Sequence, residues 1–171
     1  MPCPAELVRD FVNTYDVEAQ ADELSSPAEL ALWLRERGLS GPRDRATDDD
    51  LHTATALREN LRAALRREAA ELPALPFTIR ARQGERPEPA AAGGGVRGGL
   101  AAIAVAAVTA SWDRLKVCAE DTCQWAFIDA SKNRSRSWCS MRVCGNRTKT
   151  RAYRARKKGS RHLQGSNTDT V

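Results

Sequence analysis

Apolar residues recur at helical spacing over most of the chain, and the intervening breaks are rich in Gly, Pro and Asp. Residues 5–12 mix apolar and charged positions and are read as a short helix. A clearer helix is predicted over 27–37. Ser26 can cap it, Pro27 suits its first turn, Glu29 stands three residues after the cap, and Gly38 stops it. Leu30, Trp33 and Leu34 share one face. After a loop from Leu39 to Ala46, Thr47 opens a long helix with Asp48, Asp49 and Asp50 in its first turn, where negative charge suits the helix dipole. Leu51, Ala54, Leu57, Leu61, Ala64 and Leu65 carry its apolar stripe to about residue 70.

Pro73 and Pro76 are expected to end that helix, and Phe77 to Ala81 alternates in the manner of a half-buried strand. Residues 83–99 contain Pro87, Pro89 and the run Gly93-Gly94-Gly95, and read as a flexible turn or linker. Leu100 to about Trp112 reads as a buried, Ala-rich helix. Residues 159–171 are polar and read as a disordered tail. The expected fold is mainly α with a little β. A helix-rich N-terminal domain (1–114) would precede a small treble-clef-like module of hairpin and helix (115–158).

The apolar run from Leu100 to Ala110 is shorter than the roughly twenty residues a bilayer span needs, so no membrane partner is expected. The N-terminus lacks the basic start and apolar core of a secretory signal. The expected compartment is therefore the cytoplasm, where thiols stay reduced and paired cysteines favour metal over disulfides.

Charge divides the chain sharply. Of 27 Lys and Arg and 22 Asp and Glu, twelve cations and a single acid, Asp169, fall in residues 132–171. That segment carries +11 and leaves −6 for residues 1–131, within a net charge of +5. Such asymmetry suggests an acidic regulatory or docking part joined to a basic part that meets phosphate. The acidic half could equally fold back over the basic one.

Within the C-terminal part, Cys118, Cys123, Cys139 and Cys144 are spaced C-x4-C-x15-C-x4-C. Two close pairs on tight loops supply the four thiolates of one tetrahedral zinc. Val117 and Trp125 to Ile128 frame the first pair as a hairpin. The second pair opens a helix predicted from Ser140 to about Lys158, whose positive end favours a doubly negative centre. Gly145 would let the backbone close up beside Cys144, and Asn146 would hydrogen-bond the thiolate-bearing loop. Four thiolates leave no open position for catalysis, and His52 and His162 are remote and read as solvent residues. Cys3 reads as a bystander. Oxidative release of the zinc is an additional role that the sequence leaves open.

Arg147, Arg151, Arg154 and Lys158 form one helical stripe. Thr148, Ala152 and Ala155 form a small-residue face suited to packing on the hairpin. Arg142, Lys149 and Arg156 project elsewhere, and Lys132, Arg134 and Arg136 add charge from the preceding loop. No acid lies between Asp129 and Asp169, so these cations are uncompensated along the sequence. The pattern favours phosphate contacts, with a merely solvated basic helix as the alternative.

Several motifs together resemble the CGNR zinc-finger family. They are Cys118-x4-Cys123, Phe127-Ile128-Asp129-x-Ser131-x-Asn133, Arg136-Ser137-Trp138-Cys139-Ser140-Met141 and Cys144-Gly145-Asn146-Arg147, continuing through Lys149 and Arg154 to Arg156. The family commonly has two basic residues before Trp-Cys, where this chain has Arg136-Ser137. More loosely, Phe11-Val12-Asn13-Thr14 and the Ser26–Gly38 helix resemble the helical domain that precedes this finger in stress-induced bacterial transcription regulators. The resemblance implies that the four cysteines bind zinc and that the basic module binds DNA. Phe11, Asn13, Thr14 and Trp33 could line an effector pocket. Equally, Phe11 and Trp33 could be core while Asn13 and Thr14 cap a turn.

The sequence thus predicts a zinc-finger DNA-binding regulator with one structural zinc, compatible with a small-molecule effector and with self-association. Rival readings are an RNA or ribosome binder and a protein-interaction module whose basic face meets acid. An enzyme ranks last, because no Ser/His/Asp set, phosphate loop or open metal site is apparent.

Overall fold

Helix α1 (Pro4–Val12) buries Leu7, Val8, Phe11 and Val12, so the mixed pattern of residues 5–12 resolves into one apolar face. The computed structural model describes residues 3–164, with side chains described as far as Lys157. A small antiparallel pair, β1 (Tyr15–Asp16) and β2 (Ala21–Asp22), leads to α2 (Pro27–Glu36). Ser26 Oγ accepts the Glu29 N–H, while the Glu29 carboxylate reaches back to the Ser25 N–H at 3.0 Å. Helix α3 (Asp48–Leu65) opens on a reciprocal box between Thr47 and Asp50.

α3 ends at Leu65, short of the residue 70 expected, and the prolines do not end it. Arg67 adopts φ +65°, Glu68 N–H bonds the Ala63 carbonyl and Arg67 N–H bonds the Ala64 carbonyl. This is a Schellman closure with Arg in the position that glycine usually takes.

Residues 83–99 differ most from expectation. They contain strand β4 (Glu88–Ala91), which pairs antiparallel with β3 (Phe77–Arg80), and the first turn of α4 (Gly95–Thr109). Glycine here serves close packing as well as turning. A Cβ on Gly99 would lie 2.7 Å from the Leu39 carbonyl oxygen, and one on Gly98 2.9 Å from that of Gly93. β3 is exposed along its whole length, not half-buried.

The core gathers α1, α2, α3 and α4, with Leu30, Leu34, Leu57, Leu61, Leu100 and Ile103 fully buried. Phe11 and Trp33 meet edge to face at 5.5 Å. Leu115 and Ala126, from hairpin strands β5 (Leu115–Val117) and β6 (Ala126–Ile128), join the same cluster. Arg62, nearly buried on α3, donates to the carbonyls of Val12, Tyr15 and Gln124. The hairpin of the cysteine module is therefore built into the helical core.

Beyond it, a π-helical turn (Met141–Gly145) runs into α5 (Asn146–Gln164). α5 continues past residue 159, where a disordered tail was expected; residues 165–171 of that expected tail lie outside the described residues. Among the described residues no helix is long and apolar enough to cross a membrane.

Candidate metal centre and basic surface

The β5–β6 register sets Val117 opposite Ala126, and the turn between them carries the first cysteine pair. Cys118 N–H bonds the Trp125 carbonyl at 2.9 Å and Cys123 N–H bonds that of Glu120 at 2.9 Å, while Gln124 takes φ +52° to close the knuckle. Of the second pair, Cys139 precedes the π-helical turn and Cys144 lies within it, and Ser140 caps the turn by accepting the Val143 N–H at 3.3 Å. All four Sγ atoms lie within 4.8 Å of one another. Cys123 and Cys139 are 3.6 Å apart and Cys139 and Cys144 3.7 Å. Zinc–thiolate bonds of about 2.3 Å in a tetrahedron require S···S of about 3.8 Å, so the cluster fits one zinc ion.

In the metal-free protein, burial pushes the Cys123 thiol up to about 11 and raises Cys139 as well. Cys118 is lowered, because hydrogen bonds from the Cys139 and Glu120 backbone outweigh its burial. Amides directed at a thiolate also favour its metal-bound form. A Cβ on Gly145 would meet only the side chain of Met141, which is exposed and can move aside. Asn146 Nδ2 donates to the Arg142 carbonyl at 3.0 Å, inside the loop that carries the second pair.

Two buried carboxylates escaped the sequence reading. Glu120, inside the first knuckle, accepts from Arg151 at 2.7 Å, from Thr148 Oγ1 at 2.9 Å and from Thr122 Oγ1 at 3.1 Å. The Arg151 and Thr148 bonds hold its carboxyl down at about 2. Asp129 accepts from Lys116 Nζ at 2.6 Å and from the N–H groups of Ser131 and Arg136, each at 2.9 Å. Lys116 and then Ser131 hold it well below the usual carboxylate range. The Asp129-x-Ser131 spacing is a turn signal that could have located the second. For Glu120 the only hint is an acid enclosed between two cysteines.

These contacts divide nine of the ten cations singled out in the sequence, and the absence of nearby acids along the chain proves no guide to pairing in space. Arg151 is paired with Glu120, Arg147 with Glu18 at 3.0 Å, and Arg134 with Asp113. Arg136 lies over the Phe127 ring at 5.2 Å and donates to the Trp138 and Cys139 carbonyls, so it braces the knuckle. Lys132, Arg142, Lys149 and Arg154 are exposed, and none has an acidic partner among the described residues. The side chain of Lys158 lies outside the description. Ala152 and Ala155 are exposed instead of packing on the hairpin. Thr148 alone of that face turns inward, its one hydroxyl proton shared between Glu120 and the Cys144 carbonyl, each 2.9 Å away.

The proposed effector set is not brought to one cavity. Phe11 and Trp33 are core, and Thr14 is buried with its hydroxyl on the Phe11 carbonyl. Asn13 clamps β6, accepting the Ala126 N–H at 2.8 Å and donating to its carbonyl at 2.9 Å. His52 is exposed on α3, and the side chain of His162 lies outside the description.

Comparison with known families agrees with this geometry. Residues 114–157 match the CGNR zinc finger. Residues 5–124 match ABATE, described as "Putative stress-induced transcription regulator", a match that takes in well over half of the chain. The chain belongs to the ABATE family. Its four cysteines are the ligands of a CGNR finger with one structural zinc. The two matches overlap over residues 114–124, where strand β5 and the first knuckle are shared by the helical core and the finger. No curated protein matches the chain.

Proposed function

We propose that this ABATE protein is a DNA-binding transcription regulator, without enzymatic activity, whose phosphate contacts come from α5 and the loop before Trp138. The observation that carries this reading is the projecting α5 surface. Lys149 and Arg154 are exposed there, and Arg142 on the π-helical turn before it, without acidic partners among the described residues, with Lys132 on the adjoining loop. Zinc fixes the π-helical turn against the hairpin and so sets the direction in which the helix leaves the body. Arg151 and Arg136 serve that placement more than the ligand, because their guanidinium groups are already engaged. Four thiolates fill the metal's tetrahedron, which favours a structural over a catalytic ion. The role requires a compartment that holds DNA and keeps thiols reduced, consistent with the cytoplasm.

Fluorescence anisotropy of labelled duplex DNA against the zinc-loaded chain, taken across a salt series, tests the reading. Log affinity should fall with log salt at about −0.9 per phosphate contacted. Binding that is absent at low salt, or a preference for structured RNA at matched salt, would overturn it.

A further inference from the structure

In the β3–β4 sheet Phe77 faces Ala91, Thr78 faces Ala90, Ile79 faces Pro89 and Arg80 faces Glu88. One residue further in the same register, Ala92 N–H bonds the Pro76 carbonyl at 3.0 Å. Bonded and non-bonded pairs alternate along an antiparallel ladder. Thr78 and Arg80 therefore bond to β4, while Phe77 and Ile79 turn their N–H and C=O groups outward. The same alternation turns the nitrogens of Pro87 and Pro89 outward on the opposite edge. Proline has no N–H to offer, so the β4 edge is closed to pairing there and the β3 edge is open.

No other strand pairs with β3 among the described residues. Phe77 is 63% exposed and Ile79 60%. Beside them runs an apolar groove of about 400 Å³, lined by Leu72, Phe77, Pro89, Val105 and Val108 among others. An open edge with exposed apolar side chains is a template for strand addition.

We propose that this edge is a self-association surface, on which β3 pairs antiparallel with β3 of a second copy to make a four-stranded sheet across a two-fold axis. Backbone parity restricts the register, because outward-facing residues must meet outward-facing residues. With the axis at Thr78, Phe77 meets Ile79 of the partner subunit on both sides, and Thr78 meets its own counterpart. Aromatic against β-branched, and Thr against Thr, are both favourable cross-strand pairs. This register also keeps the two Arg80 side chains four rungs apart, roughly 14 Å along the strands. An axis at Ile79 would halve that separation. A second copy is the occupant this edge selects, since its own sequence satisfies backbone, apolar and charge requirements together.

The test is the solution mass of the full zinc-loaded chain by light scattering, without DNA, for wild type and Ile79→Pro. Ile79→Pro deletes an outward N–H and leaves the bonds within the hairpin in place. Wild type should show twice the 18.7 kDa chain mass, and Ile79→Pro the single mass with unchanged circular dichroism. A monomeric wild type at tens of micromolar, or a dimer indifferent to a folded Ile79→Pro, overturns the proposal.

Should Ile79→Pro misfold, a cysteine pair decides. Across a non-bonded pair the Cα atoms lie about 4.5 Å apart, within disulfide range. In a Cys3→Ser background with zinc present, Thr78→Cys should cross-link to a dimer under mild oxidation and Arg80→Cys should not. Equal cross-linking of the two, or none, overturns the proposal.

Discussion

Arg151 on α5 reaches Glu120 inside the first cysteine knuckle at 2.7 Å, joining a half-exposed guanidinium to a carboxylate with no solvent exposure. The Thr148 hydroxyl lies 2.9 Å from both Glu120 and the Cys144 carbonyl and shares its single proton between them. The two halves of the metal site are thus linked by a hydrogen-bonded path that runs outside the metal. Glu120→Ala removes that path: Arg151 loses its carboxylate and Thr148 keeps only the Cys144 carbonyl. Groups that support metal ligands from behind typically contribute 10- to 100-fold in affinity. We expect zinc affinity to fall by about that factor, read by competition with a chromophoric chelator. Unchanged affinity would mean that the path does not support the metal site.

The Arg147–Glu18 pair has a different meaning. Glu18 belongs to the acidic N-terminal part, in the turn between β1 and β2, and it occupies a cation on the basic helix. Phosphate has to compete with it. Glu18→Gln should tighten duplex DNA binding and steepen the salt slope by about one counterion, while Arg147→Ala should weaken binding without that gain. If Glu18→Gln leaves both affinity and slope unchanged, Arg147 is not among the contacts.

Much of this was legible in the sequence. Cap residues located the starts of α2 and α3, and cysteine spacing located the metal site with its hairpin and helix. What failed did so for physical reasons. Gly98 and Gly99 look like linker glycines, yet they lie where backbone carbonyls approach too closely for a Cβ, a fact set by tertiary packing alone. Arg67 in a left-handed conformation carries no sequence signal, so the end of α3 was put several residues too late. Charge pairing is equally a matter of tertiary packing. Glu18 is distant from Arg147 in the chain, and Glu120 lies before the basic run, so only the fold decides which cations the acidic half covers.

A half-buried ion pair in the helical part gives a pH dependence. Arg58 forks onto Asp22, with bonds of 2.6 and 2.8 Å, and also meets Thr14 and Glu59. Burial alone would raise the Asp22 pKa, but the Arg58 hydrogen bonds and the Leu24 N–H outweigh it and hold the folded value below the ordinary one. A carboxyl lowered in this way contributes stability that is fully present above its unfolded pKa of about 3.9 and is lost as pH falls through the folded value. Asp22→Asn should therefore be destabilising at pH 7 and progressively less so as pH drops below about 4. Urea unfolding of both proteins at each pH separates this effect from acid release of zinc, which they share. A penalty independent of pH would rule out the charged pair as its source.

Metal removal should not melt the protein uniformly. Leu115 and Ala126 anchor the hairpin in the helical core, while Asn13 and Arg62 bond its backbone at Ala126 and Gln124. Past Trp138 the situation reverses. Among the described residues, the cluster that holds this part consists of Cys118, Cys123 and Cys144 with Trp138 and Cys139 against it, and α5 beyond Thr148 is exposed along its described side chains. Structural zinc in finger peptides supplies roughly 10–16 kcal/mol at neutral pH, far more than so small a cluster can contribute by burial. Chelation, or Cys139→Ser, should release the π-helical turn and the start of α5 while the helical core and the β5–β6 hairpin persist. Hydrogen exchange should show protection lost over residues 139–157 and retained in α1, α3 and α4. DNA binding should disappear with that local loss, before any global unfolding. A single cooperative transition of the whole chain on zinc removal would show instead that the metal sustains the helical core as well.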